Sequence, residues 1–189
     1  MADPLVARRV ALHGASLPTR IGFVAVTDAG PMARFSFRGS PQNMGAAFGV
    51  ELPTQPMRAA YAGGRAALWL GPDEWLMLAP ENVHAEVRAA ISAALGAHPG
   101  SLVDISVRQA GLDIAGPGAI EVLSAGCPLD LDLSEFPVGM CARTVLAKAE
   151  IVLWRRAPDM FRLDVARSFA PYVAAFLTEA VRCSGRTMA

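Results

Sequence analysis

The second half of this chain repeats the order of the first, and that recurrence constrains its fold more than anything else in the sequence. Arg38-Gly39-Ser40-Pro41 falls 77 residues before Ala115-Gly116-Pro117-Gly118, and Leu68-Trp69-Leu70 falls 85 residues before Leu153-Trp154-Arg155. The turn Gly71-Pro72-Asp73, with the strand from Glu74 to Leu78, matches Ala157-Pro158-Asp159 with Met160 to Asp164. Each half reads strand, glycine turn, helix, strand, hairpin, strand, helix. That order is close to a split βαβ, ferredoxin-like unit, an antiparallel sheet with its helices on one face. The expected fold class is therefore α+β, two pseudo-repeated ferredoxin-like units built on antiparallel sheets with helices.

Local signals place the elements. Residues 1–29, with Pro4, His13-Gly14 and Pro18, lack sustained periodicity and read as an N-terminal arm with one short strand, Ile21 to Val26. Ala33 to Arg38 alternates as a strand with Phe35 and Phe37 on one face. Ser40 and Pro41 fit the N-cap and first position of a helix that carries Met44, Ala47 and Phe48 and ends near Gly49. Pro53 and Pro56 mark a loop. The clearest hairpin follows: Arg65 to Leu70, the turn Gly71-Pro72-Asp73-Glu74, then Trp75 to Ala79. A helix over Val83 to Leu95 repeats Val83, Val87, Ile91 and Leu95 every four residues as one buried stripe. In the second half Leu102 to Val107 and Gln109 to Ala115 read as extended, and Gly116-Pro117-Gly118 opens a helix over Ala119 to Ser124. Cys127-Pro128 begins a loop reaching Pro137. Arg143 to Leu146, Glu150 to Arg155 and Phe161 to Val165 read as strands. A last helix over Ser168 to Val181 carries the stripe Tyr172, Ala175, Phe176, Glu179 and Ala180. The organisation is thus an arm (1–29), one compact domain (30–182) of two half-repeats (about 30–100 and 101–182), and a flexible tail (183–189).

A chain of 189 residues buries roughly 70% of the surface its unfolded form exposes, so such a domain needs no covalent staple. Apolar residues make up 53% and charged residues 18%, which excludes disorder for most of the chain. Lys plus Arg equals Asp plus Glu at 17 each, so no single-sign field exists to collect nucleic acid or an anionic membrane. High apolarity at zero net charge predicts poor solubility alone and fits a subunit that hides surface against partners. An alanine-rich protein without partners has the same composition. Cys127, Cys141 and Cys183 are odd in number and lack CxxC spacing, which argues against a disulfide framework or a zinc site and for a cytoplasmic protein. No basic segment leads into a long apolar run at the N-terminus, so no signal peptide is expected. No apolar stretch approaches the ~18 residues of a membrane span.

The motifs that would carry catalysis are missing from the sequence: there is no GxGxxG after a strand, no GxxxxGK[ST] and no HExxH. Gly116-Pro117-Gly118 carries a proline where a phosphate cradle needs a backbone N–H, and so reads as a helix-opening turn. His13, His84 and His98 are scattered and read as surface histidines, without the i, i+4 spacing of a helical metal site. Asp73 and Glu74 read as solvated turn acids. Asp130 and Asp132 suit the wet face of a short extended segment. Cys127 reads as a buried structural thiol, and Trp69, Trp75 and Trp154 as core or interface residues of the hairpin strands. Arg108, Arg143 and Arg155 each adjoin an apolar strand. They are open to three readings: solvated strand ends, partner contacts beside an aromatic, or a clamp on a small anion. Arg108, Arg143, Trp154 and Arg155 are the partner-contact candidates; no catalytic, cofactor-binding or metal residue is assigned.

One ordered series goes further. Leu70-Gly71-Pro72-Asp73-Glu74-Trp75-Leu76 is followed by Val103-Asp104-Ile105-Ser106 and Ile114-Ala115-Gly116-Pro117-Gly118-Ala119. Then come Val122 to Leu131 (VLSAGCPLDL), Phe136-Pro137-Val138-Gly139, Cys141-Ala142-Arg143-Thr144 and Ala147 to Arg155 (AKAEIVLWR). Phe161-Arg162-Leu163 and Arg167-Ser168-Phe169-Ala170-Pro171-Tyr172 close it. In this order and spacing, over residues 30 to 182, the chain resembles the gamma subunit of heterotetrameric sarcosine oxidase. The GPDEW-like piece by itself also recurs in folate-dependent aminomethyltransferases.

The resemblance implies a fold like the folate-binding domain of aminomethyltransferases. It also implies a complex that oxidatively demethylates sarcosine to glycine and passes the one-carbon unit to tetrahydrofolate. It puts NAD and the folate site in an alpha subunit, FAD and the covalent flavin (FMN) in a beta subunit, and zinc in a small delta subunit. The gamma subunit then holds no cofactor and packs against the others, so no catalytic residue carries over and the isolated chain is not expected to be an enzyme. The equivalent subunit of an N-methylglutamate dehydrogenase complex, and a stand-alone folate-binding protein or one-carbon transferase, are the alternatives.

Overall fold

The computed structural model describes Leu12, residues 17–20 and residues 22–184. Eleven strands and four α-helices lie within those residues. In chain order they are β1 (Thr19–Arg20), β2 (Val24–Asp28), β3 (Met32–Gly39), α1 (Met44–Phe48), β4 (Ala59–Ala62), β5 (Arg65–Gly71), β6 (Glu74–Pro80) and α2 (His84–Leu95). Then follow β7 (Gly100–Asp104), β8 (Gln109–Ala115), α3 (Ala119–Ser124), β9 (Cys141–Leu146), β10 (Ala149–Ala157), β11 (Met160–Ala166) and α4 (Ala170–Cys183).

The strands form two antiparallel sheets, one ordered β4-β5-β6-β3-β7 and the other β1-β2-β8-β11-β10-β9. In the first, β3, β5, β6 and β7 with α1 and α2 are a ferredoxin-like unit, its strands lying in the order second, third, first, fourth. The second repeats that arrangement with β8, β10 and β11 around α3 and α4. Its fourth position is filled by β2, which pairs with β8 through Ala25↔Ala115 and Val26↔Ile114. The unit is thus circularly permuted, and the segment that reads in sequence as an arm contributes β1 and β2 to its sheet. The strand expected over Ile21 to Val26 lies at Val24–Asp28.

The helices flank the sheets, and the sheets face each other. Phe35, Phe37, Trp75 and Met77 pack beneath α1 and α2 with Phe48, Val87 and Ile91. Leu112, Ile114, Leu153, Phe161 and Leu163 pack beneath α3 and α4 with Val122, Val173 and Leu177. A third cluster, Leu68, Leu76 and Leu78 against Cys141, Val152 and Trp154, lies between the sheets. Central strands are therefore buried on both faces, which is why Trp75 to Ala79 and Ile151 to Trp154 run apolar without alternation. The two sheets also meet at the bridge Arg58↔Met140, where Ala59 N–H donates to Gly139 O at 2.8 Å and Cys141 N–H to Met57 O at 2.9 Å.

Three local expectations are corrected. The first helix begins at Met44, because Asn43 sits in the left-handed region (φ 64°) and Pro41 belongs to the turn closed by Met44 N–H on its carbonyl. The strand that opens the second half ends at Asp104, whose carboxylate accepts from Ser106 N–H (2.9 Å) and turns the chain at Ile105. The buried stripe of the last helix is Ala170, Val173, Ala174, Leu177, Ala180 and Val181. That face is rotated from the expected one and leaves Glu179 outside, paired with Arg182 at 2.6 Å.

Candidate functional site

Strand alternation sends half the side chains of each sheet toward the other sheet, and several of them are charged. Arg34 of β3 and Arg162 and Asp164 of β11 are 2%, 4% and 1% exposed. Arg34 Nε donates to Asp164 Oδ1 at 2.8 Å, and Arg162 Nε to Asp164 Oδ2 at 2.7 Å. One carboxylate thus holds two guanidiniums, and its bond to Arg34 ties β11 of the second sheet to β3 of the first. Asp164 pairs across the strands with Gly111, where a Cβ would stand 2.7 Å from Nη2 of both arginines, so glycine makes the room they occupy. Burial pushes the Asp164 carboxyl up. The charges and hydrogen bonds of Arg162 and Arg34 outweigh that and hold it below the usual carboxylate range.

A second crossing lies at Glu74. Sequence reading places it in a solvated turn; it is buried instead, accepting from Arg38 Nη2 at 2.7 Å and Arg143 Nη2 at 2.6 Å. Glu74 belongs to the first sheet and Arg143 to the second, so this pair also joins the sheets. It lines a cleft of about 750 Å³ between them, with Arg108, Gln109, Glu150 and Arg167 on its walls.

The four partner-contact candidates separate here. Arg108 is exposed on the cleft and Arg143 is 40% exposed. Trp154 is buried at 4% between the sheets, and Arg155 is buried at 1%. Arg155 donates from Nη1 to Leu131 O (3.0 Å) and Phe136 O (2.7 Å), and from Nε to Pro158 O (3.1 Å). It pins the 127–137 loop onto β10, and neither it nor Trp154 offers surface to a partner. Sequence reasoning misses the burial of Arg34, Glu74, Arg155 and Arg162; the sole signal for it is the pair of stacked sheets.

The remaining reactive types are accounted for by packing. His84 Nε2 lies 2.7 Å from Asp104 Oδ2, its ring stacked on Phe35 at 5.2 Å, so it is a structural contact and not a free surface group. Ser106 Oγ donates to Asp104 Oδ1 at 2.6 Å. Serine and histidine both bond the carboxylate, so the histidine is not placed to take the serine proton. The hydrogen-bonded group instead clips α2 to the end of β7. His98 is exposed, and His13 lies outside the described residues. Among the described residues no three His, Cys, Asp or Glu side chains are grouped to hold a metal ion. Cys127 and Cys141 are buried and Cys183 exposed. Burial pushes the Cys141 thiol up to about 12, and only a thiolate attacks a disulfide. The native chain should therefore present one fast thiol, Cys183, to Ellman's reagent at pH ~8, with the other two reacting on unfolding; a second fast thiol would contradict this packing.

Two ferredoxin-like units, the second permuted, sheet against sheet with helices outside, define the class of protein. It is the fold shared with the aminomethyltransferase T of the glycine cleavage system from Bartonella henselae, matched at a TM-score of 0.62 over 82% of this chain and 45% of that one at 14% identity. The family is narrower. The model of the sarcosine oxidase gamma subunit family matches residues 39–182. The sarcosine oxidase subunit gamma of Corynebacterium sp. (strain P-1) is 35% identical over 182 residues, 96% of this chain and 84% of that protein. That of Arthrobacter sp. is 33% identical over the same shares. A chain of the heterotetrameric sarcosine oxidase from Corynebacterium sp. U-96, solved in complex with pyrrole 2-carboxylate, superposes at a TM-score of 0.82 with 31% identity, over 92% of this chain and 91% of that one. This chain belongs to the sarcosine oxidase gamma subunit family.

Proposed function

We propose that the chain is the non-catalytic gamma subunit of a heterotetrameric sarcosine oxidase and supports assembly of the flavoenzyme. The observation that carries this is the near full-length superposition, at a TM-score of 0.82, on a chain of such an oxidase. Its partners in this reading are the alpha, beta and delta subunits. NAD, tetrahydrofolate, FAD, FMN and zinc are held there, while this chain contributes surface. Exposed Phe169 and Tyr172, edge to face at 6.4 Å, and exposed Val107 beside Arg108 on the larger cleft suit a surface to be covered. The unpaired cysteines fit a cytoplasmic complex. No helix among the described residues is long and apolar enough to cross a membrane.

A mild pull-down of the tagged chain from its own cells tests the proposal by native mass and flavin absorbance. A yellow complex with several other subunits is expected. A colourless lone chain from cells that are making the oxidase would overturn it.

A further inference from the structure

We propose that the smaller cleft between the sheets, on the side of the Tyr61–Gly64 hairpin, is a binding site for a small monocarboxylate. Trp154↔Arg162 and Arg162↔Asp113 are cross-strand partners on β10, β11 and β8. These three side chains therefore form one row on a single face of the second sheet. Together with Met32, Ala66 and Leu78 of the facing sheet they line a cleft of about 260 Å³.

Two buried polar atoms of residues lining this cleft have no hydrogen-bond partner among the described residues: Trp154 Nε1, and Asp113 Oδ1, which Arg156 reaches only as an ion pair. A buried indole N–H is ordinarily paired, and Trp154 is only 4% exposed. The charges do not cancel either. Arg34, Arg65, Arg156 and Arg162 face Asp113, Asp164 and Glu86, which leaves one positive charge over, at the mouth of the cleft where Arg156 is 38% exposed. Arg156 lies over the Trp154 ring at 5.4 Å and holds Asp113 Oδ1 at 3.5 Å. One carboxylate, accepting from Trp154 Nε1 and a guanidinium, supplies both the missing acceptor and the missing charge. Its apolar end meets Met32, Ala66 and Leu78 beside the paired rings of Trp154 and Tyr61, whose centroids are 5.8 Å apart. Asp113 repels a second negative charge, so the cleft selects a monoanion; Asp113 Oδ1 can accept an N–H or O–H from a ligand that carries one. A partner subunit's aspartate or glutamate has the same headgroup. The recessed position of Trp154 favours a free molecule.

Benzoate serves as the probe, with benzyl alcohol as its uncharged control. In the full chain labelled with an NMR-active nitrogen isotope, Trp69, Trp75 and Trp154 give the indole resonances, and Trp154→Phe identifies the third. The Trp154 indole N–H should shift saturably with benzoate and stay put with benzyl alcohol. Benzoate affinity should fall about tenfold in Trp154→Phe, as expected for loss of one charge-assisted hydrogen bond, and severalfold in the exposed Arg156→Gln. An unmoved Trp154 resonance, or equal affinity in Trp154→Phe, overturns the site. Equilibrium dialysis of radiolabelled benzoate against the purified complex should count one site that Trp154→Phe removes. A complex in which that site is already closed overturns the free-ligand reading in favour of a partner's carboxylate.

Discussion

Asp164→Asn should lower the unfolding free energy by about 3–5 kcal/mol, because it leaves two buried guanidiniums without their shared counter-charge. Domains of ordinary size are stable by only about 5–15 kcal/mol, so the loss is a large share of the total. It corresponds to a fall in Tm of roughly 6–20 °C for a chain of this length. The geometry gives the reason for the size. Arg34 and Arg162 are 2% and 4% exposed and converge on the one carboxylate, so water cannot take over when the charge is removed. Replacing all three, as in Arg34→Met, Arg162→Leu and Asp164→Leu together, should cost less than Asp164→Asn alone, since a buried ionic group can be exchanged for apolar volume at little net cost. The acid limb carries a second signature. A carboxyl whose folded pKa is depressed adds stability that is present above its unfolded value, near pH ~4, and is lost as pH falls through the folded value. Urea midpoints of the wild type should drop below pH ~4 more steeply than those of Asp164→Asn. An Asp164→Asn protein within about 1 kcal/mol of wild type, with an unchanged acid limb, would show that the triad does not hold the sheets together.

That triad is invisible to sequence reasoning for a definite reason. In Ala33-Arg34-Phe35-Ser36-Phe37-Arg38 the phenylalanines alternate with polar residues, which is the pattern of a strand with one wet face. The same logic puts Glu74 in a solvated turn. Both readings assume one sheet face meets water, whereas here each sheet turns its polar alternation toward the other sheet. The order of elements from Met32 to Asp104 is legible because a complete ferredoxin-like unit is contiguous there. The second unit is not, since nothing local tells Val24 to Asp28 to complete a sheet that begins at Gln109. Ala59–Ala62 escapes notice because alanine is a weak strand former; the Gly63-Gly64 turn after it is the available signal. Of the site candidates, Arg108 and Arg143 reach the larger cleft. Trp154 reads in sequence as a partner contact; the folded structure buries it between the sheets with its indole N–H unpartnered among the described residues.

Gly116→Ala should cost about 3 kcal/mol or more, a fall in Tm of roughly 6–12 °C, and should act first on β2. Gly116 has φ +122°, in a region that L side chains rarely enter. A Cβ there would stand 2.5 Å from Phe23 O and 3.1 Å from Val24 Cα, which are backbone atoms that have no rotamer to move into. The same turn holds its neighbours closely: Gly116 N–H donates to Asp159 O at 2.9 Å and Gly118 N–H to Phe23 O at 2.9 Å. Gly118 lies under the Phe23 ring, where a Cβ would meet the ring carbons well inside van der Waals contact. The Gly-Pro-Gly run, which reads in sequence as a helix-opening turn, therefore also closes on the chain's own segment at the start of β2. Gly139→Ala separates strain from collision. Gly139 has φ +84°, and a Cβ at this position would have nothing within 4 Å, so its substitution should cost only about 1 kcal/mol. In Gly116→Ala the amides of β2 should lose hydrogen-exchange protection before those of β10 and β11, and β8 would become an open edge prone to pair with other chains. Equal costs for Gly116→Ala and Gly139→Ala would mean that backbone strain by itself demands the glycine. A larger cost at Gly116 with early exchange of β2 would show that the close backbone approach is what lets a strand from the start of the chain complete the second unit.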